Sequence, residues 1–531
     1  MAKVKNTTTE QSLETILWNC RNWLRGIGGT DNKRDAVIGL VFLKFAGDKF
    51  NKRRAELVAQ YGEVPAFLEK ASFYLAENVF YLSETARWDY LVQNASANDI
   101  TVKIDQAMLD MENANEPLKG ALPQNLYSTL GLEKRDMKGL IDEVNKIDQK
   151  RFADEDLIGR VFEYFLQAYA VASDKEDGEF YTPASIVELI TELIEPYKGT
   201  VYDPACGSGG MFVQSTKFVE RHNGNKVDIS ILGQEKNDMT WRLAKMNLAI
   251  RGISHNLGEK AVSTFTEDLH KDKKVDFIMA NPPFNLKNWR GEDELKDDPR
   301  WSGYEVPSKS NANYAWILHI LNKLDVSNGT AGFLLANGAL NGSDATEAAI
   351  RKKLIDNDKV EAIIVLPRDM FYTTDISVTL WILNNNKKAR ELNGRQLRDR
   401  QNEVLFMDLR RWDNHIEEYV IDTAKKAKKK KVILNTEQIA KIKAIYKNWQ
   451  TGDDYEDVAE LCKSATLENI KAANYSLAPS KYVEFIDHDL EIDYAKEMER
   501  IQNEMKMLVA EEKLSQDLLT AAFEGIGYGI D

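Results

Sequence analysis

Four consecutive residues, Asn281-Pro282-Pro283-Phe284, carry the groups best placed to do chemistry in this chain. They follow residues 275–280, a short apolar run that reads as a buried strand. Two prolines end the hydrogen-bond ladder and stiffen the turn that follows. Such a turn holds three groups in fixed directions: the Asn281 amide, the Pro282 carbonyl and the Phe284 ring. Two acceptors beside an aromatic plate suit a planar amino group. The amine donates one hydrogen to Asn281 Oδ1 and the other to the Pro282 carbonyl. The attached base stacks on Phe284, a contact worth roughly 1–3 kcal/mol.

A second cluster lies about 75 residues upstream, in Asp203-Pro204-Ala205-Cys206-Gly207-Ser208-Gly209-Gly210. It follows a strand and opens a helix. Gly207, Gly209 and Gly210 allow a tight turn and close approach of backbone to a ligand. The helix N-terminus favours an anionic group such as a carboxylate. No Lys follows the glycines, so this is not a Walker A phosphate loop. Alone, the run is also compatible with a tight strand-to-helix turn of purely structural purpose. The next strand ends in Glu235, about 30 residues after Asp203, where a carboxylate can accept from both hydroxyls of a ribose. Asp268 follows a third expected strand around residues 262–265, and can accept from the exocyclic amine of an adenine. Upstream, in Glu179-Phe180-Tyr181-Thr182-Pro183, Thr182 is expected to cap a helix and Pro183 to be its first residue. Cys206 reads as a small residue packed under the loop rather than a nucleophile.

The elements that must position these groups follow from patterning. Residues 1–150 read as helical. From about residue 155, short β-rich runs alternate with helices, which indicates an open, mostly parallel α/β sheet. Ligands of such sheets bind outside the carboxyl ends of the strands, where both clusters fall. After residue 485 the chain reads as helical again. Met498, Ile501, Met505 and Leu508 form a narrow apolar stripe that must pack on something, either the same chain or a partner.

Composition removes other classes. The 531 residues carry a net charge of −14, which argues against coating nucleic acid by bulk charge. Within residues 1–60, however, eleven basic residues face six acidic ones, a local +5. That excess reads either as solvated helix faces or as a phosphate-facing surface. The Lys425–431 run is open to the same two readings, linker or DNA contact. Cys20, Cys206 and Cys462 are too scattered for a disulfide framework or a cysteine zinc site, so a cytoplasmic setting is expected. No apolar run approaches the ~20 residues needed to span a bilayer. The histidines have no metal-binding spacing.

Together, Asp203-Pro-Ala-Cys-Gly-Ser-Gly-Gly210 and Asn281-Pro-Pro-Phe284 resemble the gamma group of S-adenosylmethionine-dependent DNA adenine-N6 methyltransferases. The form of the first motif is similar to that of HsdM, the modification subunit of type I restriction–modification systems. Residues 17–25 and 37–50, Glu179-Phe-Tyr-Thr-Pro183, Asn313-Tyr-Ala-Trp316, Leu366-Pro-Arg-Asp-Met-Phe371 and Ile376-Ser-Val-Thr379 also fit. The resemblance implies an α/β fold: a Rossmann-like methyltransferase sheet in residues 151–484, a helical N-terminal domain in 1–150 and a helical tail in 485–531. It implies that Thr182, Pro183, Asp203, Gly207, Gly209, Glu235, Asp268 and Leu269 bind S-adenosyl-L-methionine. Asn281, Pro282 and Phe284 match the catalytic tetrapeptide, whose family form often ends in Tyr. Phe371 matches a second base-stacking aromatic, with Tyr372 its rival. The implied reaction is methylation of N6 of an adenine flipped out of duplex DNA. No sizeable β-rich module remains after Met407 to read bases, which agrees with the family's arrangement. There a specificity subunit reads DNA with two modification subunits, joined in the full complex by a restriction/translocase subunit. Two alternatives are a self-sufficient DNA adenine methyltransferase and a protein glutamine methyltransferase.

Overall fold

The computed structural model describes residues 13–27, 29–147, 182–371, 375–422, 427–486 and 494–525. Two compact units divide at Val483 and Glu484. The first holds a nine-stranded sheet in the order β13-β10-β6-β7-β5-β4-β1-β2-β3. Its strands are β1 (Gly199–Asp203), β2 (Ile229–Gly233), β3 (His255–Asn256), β4 (Phe277–Ala280), β5 (Thr330–Ala336), β6 (Val360–Val365), β7 (Val378–Asn384), β10 (Glu403–Asp408) and β13 (Cys462–Thr466). Two hairpins lie outside it, β8 (Arg390–Leu392) with β9 (Arg395–Leu397) and β11 (Ile416–Asp422) with β12 (Ala427–Val432).

Most pairings are parallel, as expected, and the wholly buried strands β5, β6 and β7 are near-continuous apolar runs. Interior strand β7 is reversed, antiparallel to both β5 and β6. Edge strand β13 runs antiparallel to β10. With the order β3-β2-β1-β4-β5-β7-β6 at its heart and helices on its faces, the sheet has the α/β fold of S-adenosylmethionine-dependent methyltransferases.

Two expectations about elements need correction. Residues 262–265 form no strand; the third strand beside β2 is the short β3, at residues 255–256. The Lys-rich run is not a linker in its described part. Residues 427–432 form β12, paired with β11 so that Glu417 and Glu418 lie opposite Lys431 and Lys430. Lys425 and Lys426 lie outside the described residues.

The helical N-terminal region is organised by a 32-residue helix, Thr30–Tyr61. Ala36, Val37, Leu40, Val41, Phe42, Leu43, Phe45 and Phe50 are buried along it. Its core does not stop at the end of the region. Leu243, Met246, Ala249 and Ile250, on the helix Asp238–Ile250 that follows β2, belong to the same cluster. The opposite face of that helix places Trp241, Ala244 and Leu248 in the core against the sheet. Arg242 Nη1 and Lys245 Nζ add bonds to the carbonyls of Leu122 and Lys119, at 3.2 and 2.6 Å. One helix thus joins the N-terminal bundle to the strand that leads into Glu235.

The second unit contains the helix Tyr494–Gly525. Met498, Ile501, Met505 and Leu508 are exposed on it. Among the described residues, no helix is long and apolar enough to cross a membrane.

Leu243→Ala is expected to cost about 2–5 kcal/mol, the usual range for truncating a buried Leu. A thermal melt followed by circular dichroism should show a lower Tm.

Candidate functional site

Parallel pairing of β1 with both β2 and β4 brings the candidate residues together. All three strands end on the same edge of the sheet, so Asp203, Glu235 and Asn281 leave it as neighbours.

The loop after β1 is built on the next strand's exit. Gln234 N donates to the Asp203 carbonyl at 3.1 Å, and Cys206 N to the Gln234 carbonyl at 3.0 Å. Asp203 Oδ1 accepts from Ala205 N at 3.0 Å. Glu235 Oε2 accepts from Gly207 N at 3.0 Å and Oε1 from Asn237 N at 2.8 Å. Gly207 and Gly209 take φ of +53° and +80°, the left-handed region, and Gly209 precedes the helix Gly210–Arg221. A Cβ at Gly207 or Gly210 would meet nothing within 4 Å. The loop therefore faces open space over Gly207 and Gly210, while Gly209 packs against Leu248.

Both carboxylates sit in a dry setting. Asp203 is 2% and Glu235 7% exposed. Burial pushes the Asp203 carboxyl up to about 8, opposed by the Ala205 N–H and assisted by Glu235. Burial also raises Glu235, against three backbone N–H groups. Burial, with these two carboxylates, raises the Cys206 thiol well above its ordinary value. This keeps it from the thiolate form a nucleophile requires.

Thr182 is not the cap expected of it. The helix Ala184–Ile194 has Pro183 at its N-cap and no side-chain cap bond. The Thr182 hydroxyl goes elsewhere: its Oγ1 accepts from Asn281 Nδ2 at 2.9 Å. A bond spanning 99 positions thus joins the segment before that helix to the turn after β4. Glu179–181 and Tyr372 lie outside the described residues.

The turn itself is closed from the other side. Asn285, at φ +55°, donates its N–H to Asn313 Oδ1 at 2.9 Å, and Asn313 Nδ2 returns a bond to Asn285 Oδ1 at 2.8 Å. Asn313 is 2% exposed, at the start of the helix Asn313–Lys323. The Phe284 ring is buried and meets the Phe371 ring edge-on, with centroids 6.4 Å apart and planes at 81°. The two aromatics singled out from the sequence are therefore in contact, both within the core on one face of the sheet.

Asp268 and Leu269 are held by side chains rather than by a strand. Gln234 Nε2 bonds the Val262 and Glu267 carbonyls at 3.1 and 2.6 Å, and its Oε1 accepts from Leu269 N at 3.2 Å. Arg300 bonds the carbonyls of Thr264 and Phe265 at 2.8 and 2.9 Å. Lys323 Nζ lies 2.6 Å from Asp268 Oδ2 and bonds the His270 carbonyl at 2.5 Å. Backbone groups satisfied in this way are not available to a ladder, which explains the missing strand. Gln234, Arg300, Lys323 and Asn313 escaped sequence reasoning as positioning residues. The only signal was for Asn313, in a matching motif with no role attached.

A cleft of about 1120 Å³ lies elsewhere, lined from residues 75–80, 116–120 and 241–259, and none of Asp203, Glu235 or Asn281 lines it. Among the described residues, no group of three or more His, Cys, Asp or Glu could hold a metal ion.

The family profile of N-6 DNA methylases matches residues 153–490, and that of the HsdM N-terminal domain matches residues 13–147. The chain is 40% identical over 435 residues to the type I restriction enzyme HindI methylase subunit of Haemophilus influenzae, covering 80% of this chain and 92% of that protein. It is 32% identical over 535 residues to the MjaIX methylase subunit of Methanocaldococcus jannaschii, covering 97% and 91%. A type I restriction–modification methyltransferase subunit from Streptococcus thermophilus has the same fold, with TM-score 0.69 and 24% identity over 90% of this chain and 100% of that one. The chain belongs to the HsdM family of type I restriction–modification methylase subunits.

Asp203 gives the site a pH signature. With its folded-state value near 8 against an ordinary 3.8, the folded protein holds a proton that the unfolded chain has lost between those values. Stability from this group is therefore lost as pH rises from about 4 to about 8. Asp203→Asn is expected to raise Tm relative to the parent at pH 8.5 more than at pH 5. Thermal melts at the two pH values check this.

Proposed function

We propose that this chain is the modification subunit of a type I restriction–modification complex, acting on N6 of a flipped-out adenine in DNA. The observation that carries the reading is the placement of the Asp203–Gly210 loop and the Asn281–Phe284 turn on adjacent parallel strand ends. Membership of the HsdM family supports it. In this reading the chain has three parts: a helical domain in 1–150, the catalytic domain in 151–484 and the tail in 485–531.

The open space over Gly207 and Gly210, and the two buried carboxylates beside it, fit S-adenosyl-L-methionine. Asp203, Gly207 and Gly209 would border its methionine part, and Thr182 and Pro183 would make a further contact with the cofactor. Glu235 would accept from its ribose, and Asp268 and Leu269 would meet its adenine. When bound, this cofactor supplies an electrophilic methyl group.

The remaining work belongs to the chain. The adenine amine is a weak nucleophile because its lone pair is delocalised into the ring. Asn281 Oδ1 and the Pro282 carbonyl accept its two hydrogens, favouring a more tetrahedral nitrogen with the lone pair directed toward the methyl. The same acceptors ease positive charge developing on nitrogen. One N–H proton leaves to solvent after the C–N bond forms, so no strong general base is needed. Phe284 and Phe371, now edge to face, would part to stack on the base. DNA sequence would be read by a separate specificity subunit, whose helices the exposed stripe Met498–Leu508 would meet. A restriction/translocase subunit would complete the assembly.

The test is transfer of labelled methyl from the cofactor to duplex DNA, with and without the specificity subunit. Label in DNA adenine only with the partner present supports the reading. Label in DNA without it would favour a self-sufficient enzyme, and label only in protein would overturn the DNA reading. Asn281→Ala is expected to lower kcat by about 100-fold or more, with the cofactor Kd kept within about threefold. Calorimetry alongside the transfer assay measures both.

A further inference from the structure

The side-chain amide of Asn247 is held between two partners that each bond in one direction only. Arg251 Nη1 donates to Asn247 Oδ1, and a guanidinium has no acceptor to offer. Asn247 Nδ2 donates to the Ser208 carbonyl at 2.8 Å, and a carbonyl oxygen cannot donate. Reversing the amide would set donor against donor at one end and acceptor against acceptor at the other. Its orientation is therefore determined. Asn247 and Arg251 are 6% and 9% exposed, so water does not readily replace either bond.

Ser208 lies inside the Asp203–Gly210 loop, whereas Asn247 lies 39 positions later on the helix Asp238–Ile250. The next residue of that helix also meets the loop: a Cβ at Gly209 would lie 3.5 Å from Leu248 Cγ. The peptide joining Ser208 to Gly209 is held at both ends, because Gly209 N donates to the Cys206 carbonyl at 2.9 Å. Its carbonyl is thus turned toward the helix, while Gly207 and Gly210 border open space. A peptide beside a glycine rotates with little steric opposition. Rotation would release the Ser208 carbonyl from Asn247 and let it turn toward the open face. That face lies at the N-terminus of the helix Gly210–Arg221, which favours an anion. A carbonyl oxygen there would oppose the carboxylate that ends the methionine part of the cofactor.

We propose that Asn247 is a positioning residue for the cofactor loop: it keeps the Ser208 carbonyl turned away from the open face, so that this face takes the methionine part of S-adenosyl-L-methionine. This rests on the cofactor reading given above. It also ties that face to the N-terminal bundle, since Met246, Ala249 and Ile250 of the same helix belong to the bundle's core.

The experiment measures two dissociation constants by calorimetry on the full-length chain. One ligand is S-adenosylhomocysteine; the other is methylthioadenosine, which lacks the amino-acid part. At neutral pH, Asn247→Asp keeps the size of the side chain and an acceptor for Arg251, and replaces the donor to Ser208 with an oxygen. Asn247→Ala removes both bonds. Each variant is expected to weaken S-adenosylhomocysteine about tenfold, with methylthioadenosine staying within about threefold of wild type. Melting curves accompany both variants, and the Asp variant carries the test should Ala lower Tm. An unchanged S-adenosylhomocysteine Kd in Asn247→Asp overturns the inference while leaving the proposed function intact. Equal weakening of the two ligands also overturns it, and makes Asn247 a residue of general packing. A wild-type chain that binds neither ligand overturns the cofactor reading, and the inference with it.

Discussion

Val201 and Tyr202 of β1 lie in parallel register with Phe277 and Ile278 of β4, while β1 also pairs along its length with β2. This pairing makes neighbours of a glycine loop, an acidic strand end and a proline-stiffened turn that are far apart in the chain. A one-residue slip of β4 would turn its side chains to the opposite face and exchange what its apolar residues bury. The buried neighbours forbid such a slip: Met279 is in the core on one face, and Ile278 and Ala280 on the other. The site's geometry is thus a consequence of core packing rather than of the loops themselves.

Those loops are compact because glycines take the tight turns and two carboxyl groups are packed out of water. Gly207 and Gly209 accept left-handed backbone, and Asp203 and Glu235 are removed from water and accept from backbone N–H groups. A carboxylate in that setting is costly to ionise, which is why burial raises both groups. A ligand carrying hydroxyls or positive charge offsets that cost when it arrives. In the proposed function, the same arrangement that costs stability at higher pH would favour such a ligand, a common trade at functional sites.

The fold class was legible because apolar runs of strand length alternate with amphipathic helices, and because each motif follows such a run. The reversal of β7 was not legible. A fully buried strand is apolar whichever way it runs, so direction leaves no mark on composition. The supposed strand at residues 262–265 failed for a related reason. Val262, Phe265 and their neighbours have strand-like types, but their carbonyls are taken by Gln234 and Arg300, which are distant in sequence. Thr182 illustrates the same limit. Thr before Pro at a helix start is a sound capping signal, yet a turn 99 residues away claims the hydroxyl. Local chemistry was readable in each case; the competing long-range partner was not.

Charge shows what structure adds to a count. The +5 of residues 1–60 includes pairs that can present no field outward: Lys44 with Asp48, both buried, and Arg34 with Asp35. Arg53 meets Glu56 and Arg54 meets Glu69 nearer the surface. Removing matched pairs takes away as many acids as bases within the segment, apart from Arg54, whose partner lies beyond residue 60. The excess therefore persists, but it moves off the core helix face and onto cations such as Arg25 and Lys52, which are exposed. At physiological salt a charge is felt over only about 8 Å. A polyanion approaching those residues would respond to them and not to the −14 of the whole chain. An acidic protein and a basic local surface are thus compatible, because screening makes the relevant charge a local quantity.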